Sequence, residues 1–168
     1  MVNPSTLKRR CVFLDRDGVI NQKPPEGEYI RTWKEFRFLP GIAAWIRMFN
    51  AQGLLVVVVT NQRGVAMGLI REKDLEEIHR NMILELTQEG AHVDDVFCCT
   101  HEEGTCECRK PNPGMVLAAE KKWNIDIPGS VLIGDSERDR KLARRCGLSF
   151  VLVEEGRMTE DVHHVLAR

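Results

Sequence analysis

The sequence predicts an α/β fold in which a central parallel sheet lies between two layers of helices. The composition of the 168 residues, 43% hydrophobic and 29% charged, is that of an average globular domain. Short runs of β-branched apolar residues alternate with segments of helical periodicity. Polar side chains gather where the predicted strands end, which is the edge where open α/β sheets bind ligands. We therefore expect residues 1–168 to form a single domain, a Rossmann-like three-layer sandwich.

Five short apolar runs predict the strands of the sheet. Nearly every position in these runs is apolar, a pattern typical of parallel strands that are buried on both faces. The predicted strands are residues 11–14, 54–59, 93–98, 131–133 and 150–153.

Four helices are predicted between these strands. The first follows Pro40-Gly41, and the second carries apolar residues at positions 75, 78, 82, 83 and 86, a spacing of three and four. The third is predicted to start with a cap at Asn112 and a first-turn proline and to run to about Trp123. The fourth is predicted over residues 137–146, closed by Gly147.

Two segments do not fit this alternation of strands and helices. Residues 16–40 form a long connection with two prolines and a glycine, which we interpret as a small flap, and residues 99–111 are polar and rich in cysteine. The 45 residues from Asp15 to Thr60 and the 50 from Thr60 to Lys110 already contain core elements. We therefore expect a capless protein whose site is open.

Charge and hydropathy narrow the classes of partner. The 24 basic and 25 acidic side chains give a net charge of -1, so the chain lacks the basic field of a non-specific nucleic-acid binder. The longest aliphatic run, residues 54–59, is far shorter than the ~20 residues of a membrane span. We expect a cytoplasmic monomer that binds neither nucleic acid nor a membrane.

The polar residues at the predicted strand ends form a set that suits phosphoryl transfer. Asp15 and Asp17 follow the first strand and could share a metal ion, although Asp-x-Asp-Gly is also ordinary turn chemistry. Thr60 ends the second strand, Lys110 ends the cysteine-rich segment, and Asp135 follows the fourth strand. A carboxylate can form an aspartyl-phosphate, Mg²⁺ can bridge it to the phosphate, and a hydroxyl and an ammonium can hold the phosphate oxygens.

The cysteine-rich segment predicts a zinc-binding loop. Cys99, His101, Cys106 and Cys108 supply three thiolates and one imidazole within ten residues, enough for a closed tetrahedral Zn²⁺ site. Because no ligand position would stay open, we expect this zinc to be structural and to fix the loop that carries Lys110. Cys98 continues the predicted strand and is expected to pack in the core. A redox-active thiol cluster is the alternative interpretation.

The four strand-end motifs, in this order, resemble those of the haloacid dehalogenase-like phosphohydrolase superfamily, and the resemblance spans residues 11–153. It implies that Asp15 is the nucleophile and that Asp17 is the general acid and base. It also implies that Thr60, with the Asn61 backbone, and Lys110 hold the transferring phosphoryl group. The presence of Asp17 favours hydrolysis, since an oxyanion leaving group needs a proton.

The same resemblance implies a Mg²⁺ site. Its ligands would be the Asp15 carboxylate, the Asp17 backbone carbonyl and Asp135, completed by water and phosphate. Asp139 is expected to contact these ligands and not the metal ion itself.

Four local patterns narrow the resemblance to heptose bisphosphate phosphatases and histidinol-phosphate phosphatases, of which the first is favoured. They are Asp-Arg-Asp-Gly, Thr-Asn-Gln, Cys-x-His and Cys-x-Cys-Arg-Lys-Pro. The expected reaction is hydrolysis of the 7-phosphate of D-glycero-D-manno-heptose 1,7-bisphosphate, with histidinol phosphate as the alternative substrate. The resemblance implies these substrate-binding residues: Asn21, Asn61, Gln62, Arg63, Arg109 and Ser136. Arg63 stands where the family commonly has a small residue, and Met67 stands where an arginine is usual.

Two further hypotheses stay open at this point. A polynucleotide 3′-phosphatase is disfavoured by the charge balance, and a zinc-bearing binding module without catalysis is disfavoured by the presence of Asp17 and Lys110. His79, within the second helix, is expected to be a surface residue.

Overall fold

The computed structural model, which describes residues 7–160 and 162, contains a six-stranded sheet. Its strands are β1 (Cys11–Leu14), β2 (Leu55–Asn61), β3 (Asp95–Cys99), β4 (Val131–Gly134), β5 (Ser149–Glu154) and β6 (Arg157–Met158). The order across the sheet is β3-β2-β1-β4-β5-β6, and all pairs are parallel except β5 with β6. The expected domain of residues 1–168 extends beyond the described residues at both ends.

The strand order places a topological switch point beside β1. The chain runs outward from β1 to β2 and β3, and then returns to the other side of β1 as β4. The loops that leave β1 and β4 therefore diverge, and a crevice opens at the carboxyl ends of these two strands. Asp15 and Asp135 are the residues that directly follow these strands.

Helices cover both faces of the sheet. They are α1 (Ile42–Ala51), α2 (Glu72–Gln88), α3 (Gly114–Trp123) and α4 (Glu137–Cys146). Apolar residues of α1 and α2 pack in one core, with Val12 and Leu14 of β1, and those of α3 and α4 pack in a second core, with Cys11 and Phe13. This alternation along β1 buries the strand on both sides and confirms the three-layer sandwich.

The structure corrects three details of the predicted elements. The sequence prediction missed β6, which pairs antiparallel with β5 through a turn at Glu155 and Gly156, both with positive φ. Strand β3 is half-buried over most of its length because it lies at the edge of the sheet. Helix α3 begins at Gly114 without a side-chain cap, since Oδ1 of Asn112 accepts from Arg145 and its Nδ2 donates to the Cys106 carbonyl.

The connection over residues 16–40 is anchored to the core at several points. Val19, Ile20 and Phe36 are buried, and a short 3₁₀ helix, Trp33–Glu35, stacks its tryptophan on Phe36 with ring centroids 4.9 Å apart. The expected flap is exposed over most of residues 22–28 and again at positions 31, 32, 34, 35 and 37. Within the described part of the chain, no helix has both the length and the apolar composition needed to span a membrane.

Candidate active site

A buried lysine lies between two carboxylates at the switch point. The Nζ atom of Lys110 is 2.8 Å from Oδ1 of Asp15 and 2.7 Å from Oδ1 of Asp139, and only 4% of the lysine is exposed. Burial opposes the charged form, but Asp15 and Asp139 hold the pKa of Lys110 above its ordinary value. The lysine is therefore a fixed ammonium that faces Asp15.

The carboxylates of Asp15, Asp135 and Asp139 meet within 4.8 Å and could hold a metal ion. Both oxygens of Asp139 are already used, since Oδ1 accepts from Lys110 and Oδ2 accepts from the Ser136 hydroxyl. This leaves Asp15 and Asp135 as the side-chain donors. A Cβ atom on Gly18 would lie 2.1 Å from Oδ2 of Asp135, so only a glycine leaves room for that carboxylate. Hard oxygen donors of this kind suit Mg²⁺.

The Asp17 carboxylate is held by three side chains. Arg16 grips it with Nη2 at 2.9 and 3.2 Å, Asn21 donates at 2.9 Å, and Gln62 donates at 2.9 Å. Burial alone would raise the pKa of Asp17, but the Arg16 charge and these hydrogen bonds hold it below its ordinary value. Asp17 is therefore anionic in this arrangement.

The end of β2 contributes a second group of polar residues. Gln62 donates to the Thr60 hydroxyl as well as to Asp17. The Asn61 side chain donates through Nδ2 to the Lys110 carbonyl at 3.1 Å and accepts through Oδ1 from the Lys110 backbone N–H at 3.0 Å. These two bonds fix the backbone of the lysine. The Asn61 side chain thus positions Lys110 and does not project freely toward a ligand.

The other expected substrate-binding residues occupy different surroundings. Asn21 is fully buried behind Asp17, and Ser136 caps α4 and bonds to Asp139. Arg63 forms an ion pair with Glu102 of the cysteine-rich loop. Arg109 is 8% exposed, and within the described residues its Nη1 has no hydrogen-bond partner. Arg109 is therefore a buried cation with one donor atom that no described residue accepts from.

The cysteine-rich loop brings together the four predicted zinc ligands. The Sγ atoms of Cys99, Cys106 and Cys108 lie 3.1 to 3.5 Å apart, and Nδ1 of His101 is 3.2 Å from Sγ of Cys108. A tetrahedral ion with Zn–S bonds of 2.3 Å requires sulfur atoms about 3.8 Å apart, so the cluster is close to that geometry. Cys98 stays outside the cluster and is half-buried, where burial raises the pKa of its thiol to about 12.

The sequence interpretation missed Lys23 and gave Arg16 no role. Lys23 lies in the exposed part of the flap, and its Nζ is 2.7 Å from Oδ2 of Asp135. Beside this pair, a cavity of about 910 Å³ is bounded by Gly18, Lys23, Asp135 and the β5–β6 hairpin. No sequence pattern signals Lys23, because its contact with Asp135 spans 112 positions.

His79 was expected at the surface, and the structure contradicts this. Its ring is half-buried, with Nε2 3.2 Å from Nη1 of Arg16. A signal was present in the sequence, since the spacing of three and four places His79 on the same side of α2 as Leu75 and Met82. Burial, and then the Arg16 charge, lower the pKa of His79 to about 3.

This low pKa predicts a pH dependence of stability. Below about pH 6.5 the unfolded chain protonates His79 while the folded protein does not, so the free energy of unfolding falls as the pH falls. We expect His79→Gln to remove up to about 1.4 kcal/mol per pH unit of this loss between pH 6.5 and 5. Urea unfolding of both proteins across this range measures the difference. Parallel curves for the two proteins would contradict a neutral His79.

Comparison with known proteins identifies the family. A family model described as HAD-hydrolase-like matches residues 107–167. The chain is 46% identical over 152 residues to D-glycero-beta-D-manno-heptose-1,7-bisphosphate 7-phosphatase of Rhodopseudomonas palustris, covering 86% of this chain and 83% of the relative. It is 42% identical over 135 residues to D-glycero-alpha-D-manno-heptose-1,7-bisphosphate 7-phosphatase of Mycobacterium bovis, covering 79% and 70%.

A solved structure agrees with these relatives. The fold matches that of D,D-heptose 1,7-bisphosphate phosphatase from B. bronchiseptica, which was crystallised with magnesium and phosphate. The TM-score is 0.81 at 34% sequence identity, and the match covers 94% of this chain and 86% of the other. The chain therefore belongs to the heptose bisphosphate phosphatase family of the haloacid dehalogenase-like hydrolases.

Proposed function

We propose that this protein is a Mg²⁺-dependent phosphatase that removes the 7-phosphate of D-glycero-D-manno-heptose 1,7-bisphosphate through an aspartyl-phosphate. The observation that carries this proposal is the contact of Asp15 with the buried ammonium of Lys110, beside Asp135 and at the mouth of a crevice. The relatives named for this activity support the choice of substrate. The cavity beside Asp135 has the volume of a site for a small molecule.

The residues at the crevice fit a Mg²⁺ ion, which we assign to the Asp15 and Asp135 carboxylates and the Asp17 backbone carbonyl. When bound, the ion neutralises phosphate charge and aligns the phosphate for attack. Asp15 attacks the phosphorus, the bond from phosphorus to the sugar oxygen breaks, and Asp17 gives that oxygen a proton. Lys110 and Thr60 hold the oxygens of the phosphoryl group during transfer.

In the second half of the reaction Asp17 acts as a base. It takes a proton from a water molecule, the water oxygen attacks the phosphorus, and inorganic phosphate leaves while the Asp15 carboxylate is regenerated. The anionic state of Asp17 in this structure suits this step. For the first step Asp17 must be protonated, although the contacts from Arg16, Asn21 and Gln62 favour its anionic form.

We assign recognition of the rest of the substrate to the positive groups around the crevice. Arg109 brings a buried donor that has no partner within the described residues, and Arg63 brings a half-exposed guanidinium that Glu102 holds. Ser136 and the Asn61 backbone complete the proposed binding surface, whereas the buried Asn21 and Gln62 act on the site by holding the Asp17 carboxylate. Two arginines suit a bisphosphate, since guanidinium groups match phosphate oxygens.

We also propose that Cys99, His101, Cys106 and Cys108 hold a structural Zn²⁺ ion. The near-tetrahedral spacing of their donor atoms supports this assignment. The ion would fix the loop that leads directly into Arg109 and Lys110. We place this single-domain protein in the cytoplasm as a monomer, without a nucleic-acid or membrane partner, in keeping with its net charge of -1.

The central test is phosphate release by wild type and Asp15→Asn with Mg²⁺ present. We expect wild type to hydrolyse the heptose bisphosphate with a higher kcat/KM than histidinol phosphate, and the variant to lose at least about 10³-fold in kcat because it lacks the nucleophile. Assays of both anomers of the heptose bisphosphate define the preferred one. Glu85→Gln, exposed on α2, is the control for an isosteric amide and should keep full activity. Turnover by Asp15→Asn would end the proposed mechanism.

The zinc assignment predicts a metal content of one zinc per chain. Cys106→Ser should lose the ion and lower the melting temperature, because the loop loses one of its ligands. Cys98→Ser, beside the cluster but outside it, should keep the zinc. Elemental analysis and thermal unfolding of the three proteins measure both effects. Equal zinc contents in the two variants would contradict the ligand set.

The contact of Lys23 with Asp135 predicts competition with Mg²⁺. Because the ammonium occupies a carboxylate oxygen that the cation needs, Lys23→Met should tighten Mg²⁺ binding by about two- to fivefold, the range of an exposed ion pair. Isothermal titration calorimetry without substrate measures this affinity. Lys34→Met, exposed in the same connection, is the control and should leave it unchanged. Weaker binding by Lys23→Met would show that the lysine assists the cation.

A further inference from the structure

We infer that His79 is a positioning residue for the reaction, which fixes the Arg16 guanidinium and through it the Asp17 carboxylate. This inference rests on the proposed function, in which Asp17 moves the protons. Three side chains form a continuous path, from Asp17 in the crevice through Arg16 to His79 on α2. Neither Arg16 nor His79 belongs to the proposed ligands of substrate or metal.

Arg16 is held in place by its backbone as well as its side chain. It is fully buried, and its carbonyl oxygen accepts from the amides of Val19, Ile20 and Asn21, so the turn after β1 is rigid. Two of its nitrogens, Nε and Nη2, face the Asp17 carboxylate. A planar guanidinium that binds a carboxylate in this way fixes the orientation of the carboxylate plane.

The third nitrogen of the guanidinium, Nη1, points to His79. An arginine has only donors, so Nε2 of His79 must present its lone pair at 3.2 Å. The ring is then neutral and carries its proton on Nδ1. The low pKa of His79, caused by burial and then by the Arg16 charge, agrees with a neutral ring.

Loss of this acceptor would release one side of the guanidinium. A buried N–H without a partner is costly, so Arg16 would turn toward another acceptor and its paired contact with Asp17 would change. A shift of about 1 Å in a group that transfers protons lowers rates by orders of magnitude. His79 also borders a groove of about 200 Å³ with Leu75, Cys98 and Thr100. A smaller side chain there therefore meets open space, and we expect the variants to fold.

The first test compares His79→Asn with His79→Gln. The glutamine amide reaches about as far as Nε2 and can accept from Arg16, whereas asparagine reaches only about as far as Nδ1. We expect His79→Asn to lower kcat by about 10- to 100-fold, as the loss of an outer partner of a catalytic group does. KM and the Mg²⁺ affinity should stay within about twofold, and His79→Gln should restore most of kcat. An unchanged kcat in His79→Asn, or an equal loss in both variants, would overturn the inference.

A double-mutant cycle with Arg16→Met tests the path itself. If His79 acts through Arg16, adding His79→Asn to Arg16→Met should lower kcat no further. Multiplied losses would show that His79 acts independently, which would refute the inference. Thermal unfolding of each variant accompanies the kinetics.

Nitrogen-15 NMR of the imidazole provides a readout that does not depend on turnover or on the folding of variants. We expect the wild-type ring of His79 to be neutral with its proton on Nδ1 near pH 7. A proton on Nε2 would overturn the inference even in an active enzyme. Absence of phosphatase activity in the wild-type protein would instead count against the proposed function.

Discussion

The charge balance around the buried ammonium of Lys110 is the constraint on which the rest of the site depends. An isolated ammonium in a low-dielectric interior is costly, and two carboxylates compensate for this one. Asp15 comes from the end of β1 and Asp139 from the first turn of α4, while Asn61 of β2 fixes the backbone of the lysine. Three separate parts of the chain must therefore be folded before the ammonium is stable at this place.

The cysteine-rich loop is joined to the same arrangement. The N-terminus of α3 approaches it so closely that a Cβ atom on Gly114 would lie 2.5 Å from the Glu107 carbonyl oxygen. Arg145 of α4 donates to the Pro111 carbonyl and to the Asn112 side chain, directly after Lys110. The four converging donors of the loop and the contacts from two helices thus restrain the short segment that carries Arg109 and Lys110.

Local sequence patterns predicted the strands and helices whose bounds depend on the residues within or next to them. The apolar runs indicated five strands, and α4 matched its predicted bounds because Ser136 and Gly147 cap it. The strand-end residues that meet at Asp15 were predictable because parallel strands end at a common edge. Contacts such as Lys23 with Asp135 or Arg16 with His79 were not, since they depend on the packing of a flap and a helix. The predicted cap of α3 at Asn112 was wrong for a similar reason, since this side chain bonds to the loop and to Arg145.

The wide cavity beside Asp135 has a consequence for selectivity in the cell. This opening is bordered by a short exposed segment and a hairpin. An opening of this size excludes few phosphate esters by the bulk of their alcohol portion. Under the proposed function, discrimination then rests on Arg63 and Arg109, which we assign to the second phosphate of the substrate. We expect such an open site to hydrolyse unrelated phosphate monoesters slowly. The concentrations of these esters in the cell then help determine which of them are hydrolysed.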